Sequence, residues 1–348
     1  DTKKVTHPMR RPTIPDLAEA AGVSVATVNR VLSGAANVRL GTRERVQEAA
    51  AAIGFYGLGS IQARVHAARP RLRFGVLLLQ RHRPFYQNVA HALQAAAASA
   101  TGAEIDLQIE FLDDLSPQNT ADHALTLART CDAVCLTSAV HPVVTDAVQS
   151  IQAAGTPVFA LISQLSAAGQ MHYIGLDNWK VGRTSAWAFA NICRAPGKIG
   201  ILMGNPRYRN QEMNETGFRS YFRELAPDFT LLEPISTFEA AAVAQEMTEK
   251  LLADHADLVG LYVSGGGISG ALAALRATGR AGQIVVVGYD LTDVTRAALL
   301  DGTMTLVLSH PLAQLAHDAI DGMIRACTTQ AGNQTSIVPF EIYTRENI

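Results

Sequence analysis

Apolar residues in the first fifty-odd positions recur every three or four residues, whereas from Leu72 onward they form short unbroken runs separated by longer mixed stretches. The first pattern is that of small amphipathic helices. Leu17, Ala18 and Ala21 make one apolar stripe behind Pro15, a residue suited to a first helical turn because it has no N–H to leave unpaired. Gly22 permits a left-handed stop. Ser24 is placed to cap a second helix, with Val28, Val31 and Leu32 facing inward and Val25, Ala26, Asn29 and Arg30 facing outward. A third helix is predicted from its cap Thr42, with Val46, Ala49, Ala50 and Ile53 on one face and Gly54 at its end. Two short helices around a tight turn, closed by a third, form an all-α helix-turn-helix headpiece. Its second helix carries small and hydrogen-bonding side chains that fit a groove about 12 Å wide.

The second pattern alternates strands and helices. The run Leu72 to Leu79 suits a strand buried on both faces. A helix over Val89 to Ala100 and a strand over Ile105 to Phe111 follow. Next come a helix at Thr120 to Arg129, a strand at Ala133 to Leu136, a helix at Val143 to Ala154 and a strand at Pro157 to Ile162. A second series contains strands at Lys198 to Met203, Gly260 to Val263 and Ile284 to Val287. Such alternation predicts an α/β core of parallel sheets, and two successive series predict two lobes with a cleft. Ligands in such sheets sit beyond the carboxyl ends of the strands. Between head and core, Gly57, Gly59 and Pro70 mark a linker with room for a short helix from Ser60 to Ala68. The expected domains are therefore a headpiece at 1–57, a hinge at 58–72 and a two-lobed core at 73–348.

Charge sharpens the division. The chain of 348 residues has a formal net charge of −2, but residues 1–72 hold 11 Lys/Arg and 5 Asp/Glu, or +6, which leaves −8 for the rest. A basic module on an acidic body fits a phosphate-binding head on a core that does not bind nucleic acid. No apolar run approaches the roughly 20 residues that span a bilayer. The basic, polar start lacks an apolar signal core, so a cytoplasmic chain with no membrane partner is expected. Cys131, Cys135, Cys193 and Cys327 show no paired framework and read as buried thiols. The ten histidines are scattered, and no catalytic triad or acid pair stands out. Neither a cofactor, a metal nor an enzymatic activity is expected.

The combination of Asp16-Leu17-Ala18, Ala21-Gly22-Val23-Ser24, Thr27-Val28, Arg30-Val31-Leu32, Thr42-Arg43 and Val46 resembles the headpiece of the lactose-repressor (LacI/GalR) family. The resemblance implies that Val25, Ala26 and Asn29 read bases in the major groove. It implies that Thr13, Ser24, Thr27, Arg30 and Asn37 touch DNA, mostly its backbone, to position the head. It also makes the linker a hinge helix in which Arg64 and Val65 meet DNA, Val65 taking the place of a minor-groove wedge. Tyr173 to Asn178, Gly182, Ala186 and Val287 to Asp290 resemble the same family's regulatory core, which is similar to periplasmic sugar-binding proteins. That implies a periplasmic-binding-protein-like core with two lobes joined by three crossings, near Met171 to Gly175, Leu306 to His310 and Ala326 to Gln330. Lobe 1 then spans about 73–172 plus 310–326, and lobe 2 about 173–309 plus 327–348. The implied protein is a ligand-controlled transcriptional regulator, a repressor. It would act as a homodimer on near-palindromic double-stranded operator DNA, with a carbohydrate-like effector between the lobes.

Candidate effector residues follow from the strand ends. Phe85 and Tyr86 offer aromatic faces after the first core strand, and Tyr208, Arg209, Asn210 and Gln211 form a donor-rich loop. Phe238 stands where some relatives stack an aromatic, and Ser264 and His310 are further polar candidates. Asp290, at a strand's carboxyl end, can accept two sugar hydroxyls in charge-assisted hydrogen bonds. Asn214 replaces an arginine common in the family. Gly265-Gly266-Gly267-Ile268-Ser269-Gly270 is a literal G-x-G-x-x-G, so an NAD-dependent enzyme is a second reading. A sugar-binding protein without a DNA function is the third.

Overall fold

A computed structural model describes residues 10–35, 37–167, 171–329, 332 and 334–348. Four helices open the chain: α1 (Ile14–Ala20), α2 (Val25–Ser33), α3 (Leu40–Ala52) and α4 (Leu58–Ala67). The amide and hydroxyl of Thr13 both donate to Asp16, at 2.7 and 2.6 Å, and fix the start of α1. The Ser24 hydroxyl accepts the Thr27 amide at 3.2 Å, the cap expected for α2. Gly22 and Gly34 take φ of +62° and +77° at the two helix stops, a conformation open to glycine. The helix α3 begins at Leu40, before the Thr42 cap that the sequence suggests. Arg43 lies one turn inside it and donates to the carbonyls of Val38 (2.9 Å) and Ala35 (2.6 Å), which ties the incoming loop to the helix.

Leu17, Val28, Val31, Val46 and Ala50 form the head core, and Ile61 and Val65 of α4 complete it. Part of the segment expected as a hinge at 58–72 thus packs with the head through α4. The unit that holds the head is Asp1–Arg71 with Thr101–Glu104, and α4 is its fourth helix. The pair Ile61 and Val65, one turn apart, has an apolar face that this core can cover.

The second unit is Leu72–Ala100 with Ile105–Ile348. Its first series runs β1 (Arg71–Leu79), α5 (Pro84–Ser99), β2 (Glu104–Leu112), α6 (Pro117–Ala128), β3 (Ala133–Leu136), α7 (Pro142–Ala153), β4 (Val158–Leu161) and β5 (His172–Gly175). Then come α8 (Asn178–Ile192), β6 (Lys198–Met203), α9 (Arg209–Leu225), β7 (Thr230–Leu231), β8 (Ile235–Ser236), α10 (Ala241–Asp254), β9 (Leu258–Val263), α11 (Ile268–Ala277) and β10 (Val285–Tyr289). The chain closes with α12 (Asp293–Leu300), β11 (Leu306–Ser309), α13 (Leu312–Thr329), β12 (Thr335–Ile337) and β13 (Glu341–Tyr343).

One sheet has the order β12-β5-β4-β3-β1-β2 and the other β13-β11-β10-β9-β6-β7, with β8 also paired to β6. Pairings between neighbours such as β1 and β3, or β9 and β10, are parallel, and β13 joins β11 antiparallel. These are the two lobes. Their crossings lie between β5 and α8, between β11 and α13, and between β12 and β13 at residues 338–340. The first falls just beyond Met171 to Gly175, because β5 belongs to the lobe 1 sheet. The third is not near Ala326 to Gln330, where Gln330 is outside the described residues. The reason is that β12 pairs with β5 in parallel, Ser336 opposite Ile174, and keeps the chain in lobe 1 past residue 327. Among the described residues no helix is long and apolar enough to cross a membrane, and all four cysteines are free thiols.

Candidate functional site

On the head, the outer face of α2 is as its periodicity suggests. Val25 is 42 % exposed, Ala26, Asn29 and Arg30 are also exposed, and Val28 and Val31 are fully buried beneath them. Asn37 is exposed in the loop before α3, while Thr13 and Thr27 are half-buried. The Ser24 and Thr27 hydroxyls lie 2.9 Å apart at the start of α2, beside the amides of its first turn. Val65 does not fit the expectation of a protruding wedge. It is 1 % exposed inside the head core, and the neighbouring Arg64 guanidinium reaches the Val31 carbonyl at 3.5 Å.

In the core, a cavity of about 250 Å³ opens between the lobes at the carboxyl ends of strands from both sheets. The loop after β1 brings His82 and Arg83, and the start of α5 brings Pro84, Phe85 and Tyr86. Opposite them stand Asn210 and Gln211 on α9, Glu239 after β8, Ser264 to Gly267 after β9, Tyr289 and Asp290 at the end of β10, and His310 after β11. Among the described residues the non-glycine positions with left-handed backbone are Gln80, Ile162, Phe238, Glu239 and Asp290. All five follow or end strands at this edge, and such strain persists where surrounding structure holds it for a purpose.

A hydrogen-bonded pair and an ion pair organise the polar lining. Asp290 Oδ1 accepts from the His310 amide at 3.1 Å and from its Nδ1 at 2.8 Å. A carboxylate only accepts, so Nδ1 carries the proton, and the buried Nε2 has no hydrogen-bond partner among the described residues. Asp290 thus has one oxygen committed, not two free for hydroxyls as its sequence position suggests. Arg83 Nη1 meets Glu239 Oε2 at 2.7 Å, and Gln211 Nε2 donates to Glu239 Oε1 at 2.7 Å. Burial opposes the charge of Arg83, but Tyr86, Glu239 and Tyr208 outweigh it, and the guanidinium is held more firmly protonated than usual. Burial also raises the Tyr86, Tyr208 and Tyr289 phenols, which remain O–H donors at neutral pH. Tyr262, fully buried, gathers the hydroxyls of Ser185, Ser264 and Tyr289 around its own.

Of the candidates from the sequence, Phe85, Tyr86, Asn210, Gln211, Ser264, Asp290 and His310 line this cavity. Three do not. Tyr208, the residue just before α9, is 5 % exposed and is not among the lining residues. Arg209 faces a separate depression with Asp177 and Asn178 and pairs with Glu212 at 3.9 Å. Phe238 is 70 % exposed; its left-handed backbone sends Glu239, rather than its own ring, to the cavity. Arg83 and Glu239 were missed. An arginine before Pro-Phe-Tyr is a detectable signal for the first, but nothing in the local sequence marks the second.

The glycine motif has a packing explanation at each position. A Cβ on Gly265 would stand 2.4 Å from the Gly204 amide, and one on Gly270 would stand 1.8 Å from the Ala241 carbonyl. Gly267 has φ +98° at the start of α11. The first glycine lets two strand-end loops touch, and the last lets α10 and α11 approach.

Residues 74–330 match the periplasmic binding protein domain family, and residues 13–57 match bacterial regulatory proteins of the lacI family. A D-apiose import binding protein of Paraburkholderia graminis is 25 % identical over 240 residues, which is 68 % of this chain and 75 % of that protein. A D-ribose/D-allose-binding protein of Pseudomonas aeruginosa is 29 % identical over 163 residues, 46 % of this chain and 49 % of the relative. Among solved structures, a periplasmic solute-binding protein of an ABC transporter from Actinobacillus succinogenes with bound D-allose superposes with a TM-score of 0.71. It is 20 % identical and covers 80 % of this chain and 98 % of its own. A solute-binding protein from Burkholderia graminis in complex with D-arabinose gives 0.73 at 18 % identity, over 79 % of this chain and 96 % of its own. These two likenesses establish the two-lobed fold of the core.

Proposed function

The chain belongs to the periplasmic binding protein domain family and carries a lacI-family helix-turn-helix head, and from this premise we propose that it is a sugar-responsive DNA-binding repressor. The observation that carries the reading is the union in one chain of an exposed, capped helix α2 with a two-lobed cleft lined by aromatic and polar side chains. Val25, Ala26 and Asn29 read bases, and Ser24, Thr27 and Arg30, with Thr13 and Asn37, hold phosphates. One such helix spans only a few base pairs, so two copies of the chain bind half-sites about one helical turn apart.

The effector is a neutral monosaccharide. A cavity of about 250 Å³ is of that scale. The Glu239 carboxylate is already matched to Arg83, and the Asp290 carboxylate is held by the His310 ring, so a sugar carboxylate or phosphate would displace Glu239 from Arg83 or meet Asp290 as a like charge. The free Asp290 oxygen, His310 Nε2, Asn210 and Ser264 provide polar contacts, and Phe85 and Tyr86 an aromatic face. The relatives named for D-apiose, D-ribose and D-allose agree with this class. Sugar acts by favouring one lobe arrangement, and it changes DNA affinity only as far as DNA prefers the other.

The test is a gel shift with the DNA upstream of the chain's own gene, with and without D-apiose, D-ribose, D-allose and D-arabinose. A specific shift that one of these sugars weakens supports the reading. A second reading, a sugar-binding protein without a DNA function, is favoured by the import roles in the relatives' names. Sugar binding with no preference for any duplex over random competitor would establish it instead.

A further inference from the structure

The seat of Glu239 is more elaborate than a ligand contact requires. Its side chain is 5 % exposed, and both carboxylate oxygens are engaged, one by Gln211 and the other by Arg83. Gln211 Oε1 in turn accepts from the Gly204 and Asn205 amides at 2.8 and 3.0 Å. Two glycines make room for the carboxylate, since a Cβ on Gly204 or Gly266 would overlap Glu239 oxygens at 1.7 and 2.0 Å. Thr237 fixes the same loop by donating to the Gly266 carbonyl at 2.8 Å. The backbone of Glu239 itself sits at φ +62°, next to Phe238 at +52°. Everything in this seat belongs to lobe 2 except Arg83, which precedes α5 in lobe 1.

We propose that Arg83 and Glu239 form a latch between the lobes, and that the stability of this pair sets how readily the cleft opens. Opening breaks this largely buried ion pair and leaves the Glu239 carboxylate with Gln211 as its one side-chain donor, a costly step. Closure is therefore favoured by the chain's own residues before any sugar contributes. Its strength fixes the fraction of closed chain, and so the apparent sugar affinity. A second interlobe contact, the Val140 amide donating to the Arg207 carbonyl at 2.8 Å, reports on the same motion from another part of the rim.

This inference rests on the cavity as the effector site only for its consequence, and its test needs no sugar and no DNA. Amide hydrogen exchange is measured on the full chain and on Arg83→Gln, Arg83→Lys and the double variant Arg83→Gln/Glu239→Gln. Arg83→Gln should exchange the Val140 amide about tenfold faster, because opening frees an N–H remote from the substitution. Arg83→Lys should stay near the parent, and the double variant should fall between, having lost the buried lone charge. Should Arg83→Gln fail to fold, the comparison of the double variant with Arg83→Lys carries the same test. Faster exchange confined to the loops around residues 83 and 239, with Val140 unchanged, would overturn the latch. It would leave the sugar-site reading intact, which fails only if no sugar binds.

Discussion

Arg30 and Arg43 both count toward the positive charge of the first 72 residues, yet one is exposed on α2 and the other is 6 % exposed with its guanidinium on two carbonyls. A charge tally does not separate them, whereas burial does. Replacing Arg43 by Ala should destabilise the head by about 2–3 kcal/mol, since hydrogen bonds to charged groups are lost and buried carbonyls are left unpaired. Arg30→Ala should leave the head's thermal melt unchanged, weaken binding to all DNA sequences alike and reduce the slope of log affinity against log salt by about 1. Equal melting of the two variants would contradict these assignments. At the same scale the sequence revealed the inward and outward positions of α2, because a 3.6-residue period is a local property. Glu239 was not legible, because a left-handed turn is normally read from glycine and here two ordinary residues adopt it.

Among elements, α4 departs furthest from expectation. Its limits, Leu58–Ala67, lie close to the helix read from the sequence, but its apolar pair Ile61 and Val65 is buried in the head. Periodicity shows that a helix has an apolar side and not which neighbour covers it. Val65→Ala should therefore lower head stability by about 1–2 kcal/mol, the usual scale for removing methyl groups from a core. Operator bending, read from circularly permuted fragments, should be unchanged at saturating protein. A lost bend with an unchanged melt would instead return Val65 to the role of a wedge in the minor groove. The strands were more legible: β3 and β6 match the sequence reading end to end, since buried parallel strands are short apolar runs.

At the scale of the whole molecule, two lobes and parallel sheets were apparent from alternation, but the lobe boundaries were not. The short strand β12 has little apolar signature, and only its pairing with β5 shows where the chain crosses for the last time. Beside that pairing, His172 stacks on Phe159 at 4.3 Å, and its Nδ1 accepts the Gln334 amide at 2.9 Å. Burial holds its pKa below the ordinary value of 6.5, so the fold favours the neutral ring. As pH falls below 6.5 the unfolded chain takes up a proton that the folded chain resists, and stability drops. Urea melts of the chain should therefore show stability rising with pH up to about 6.5. His172→Asn should flatten that rise.

Coupling between the two ends of the chain is the account's central claim, and thermodynamic reciprocity tests it without assumptions about the path. The measurement is the affinity of a sugar that binds, taken by calorimetry on the free chain and again on the chain saturated with its operator. The predicted result is weaker sugar binding on DNA, by the same factor by which that sugar weakens operator binding. Identical sugar affinity in the two states would contradict the account.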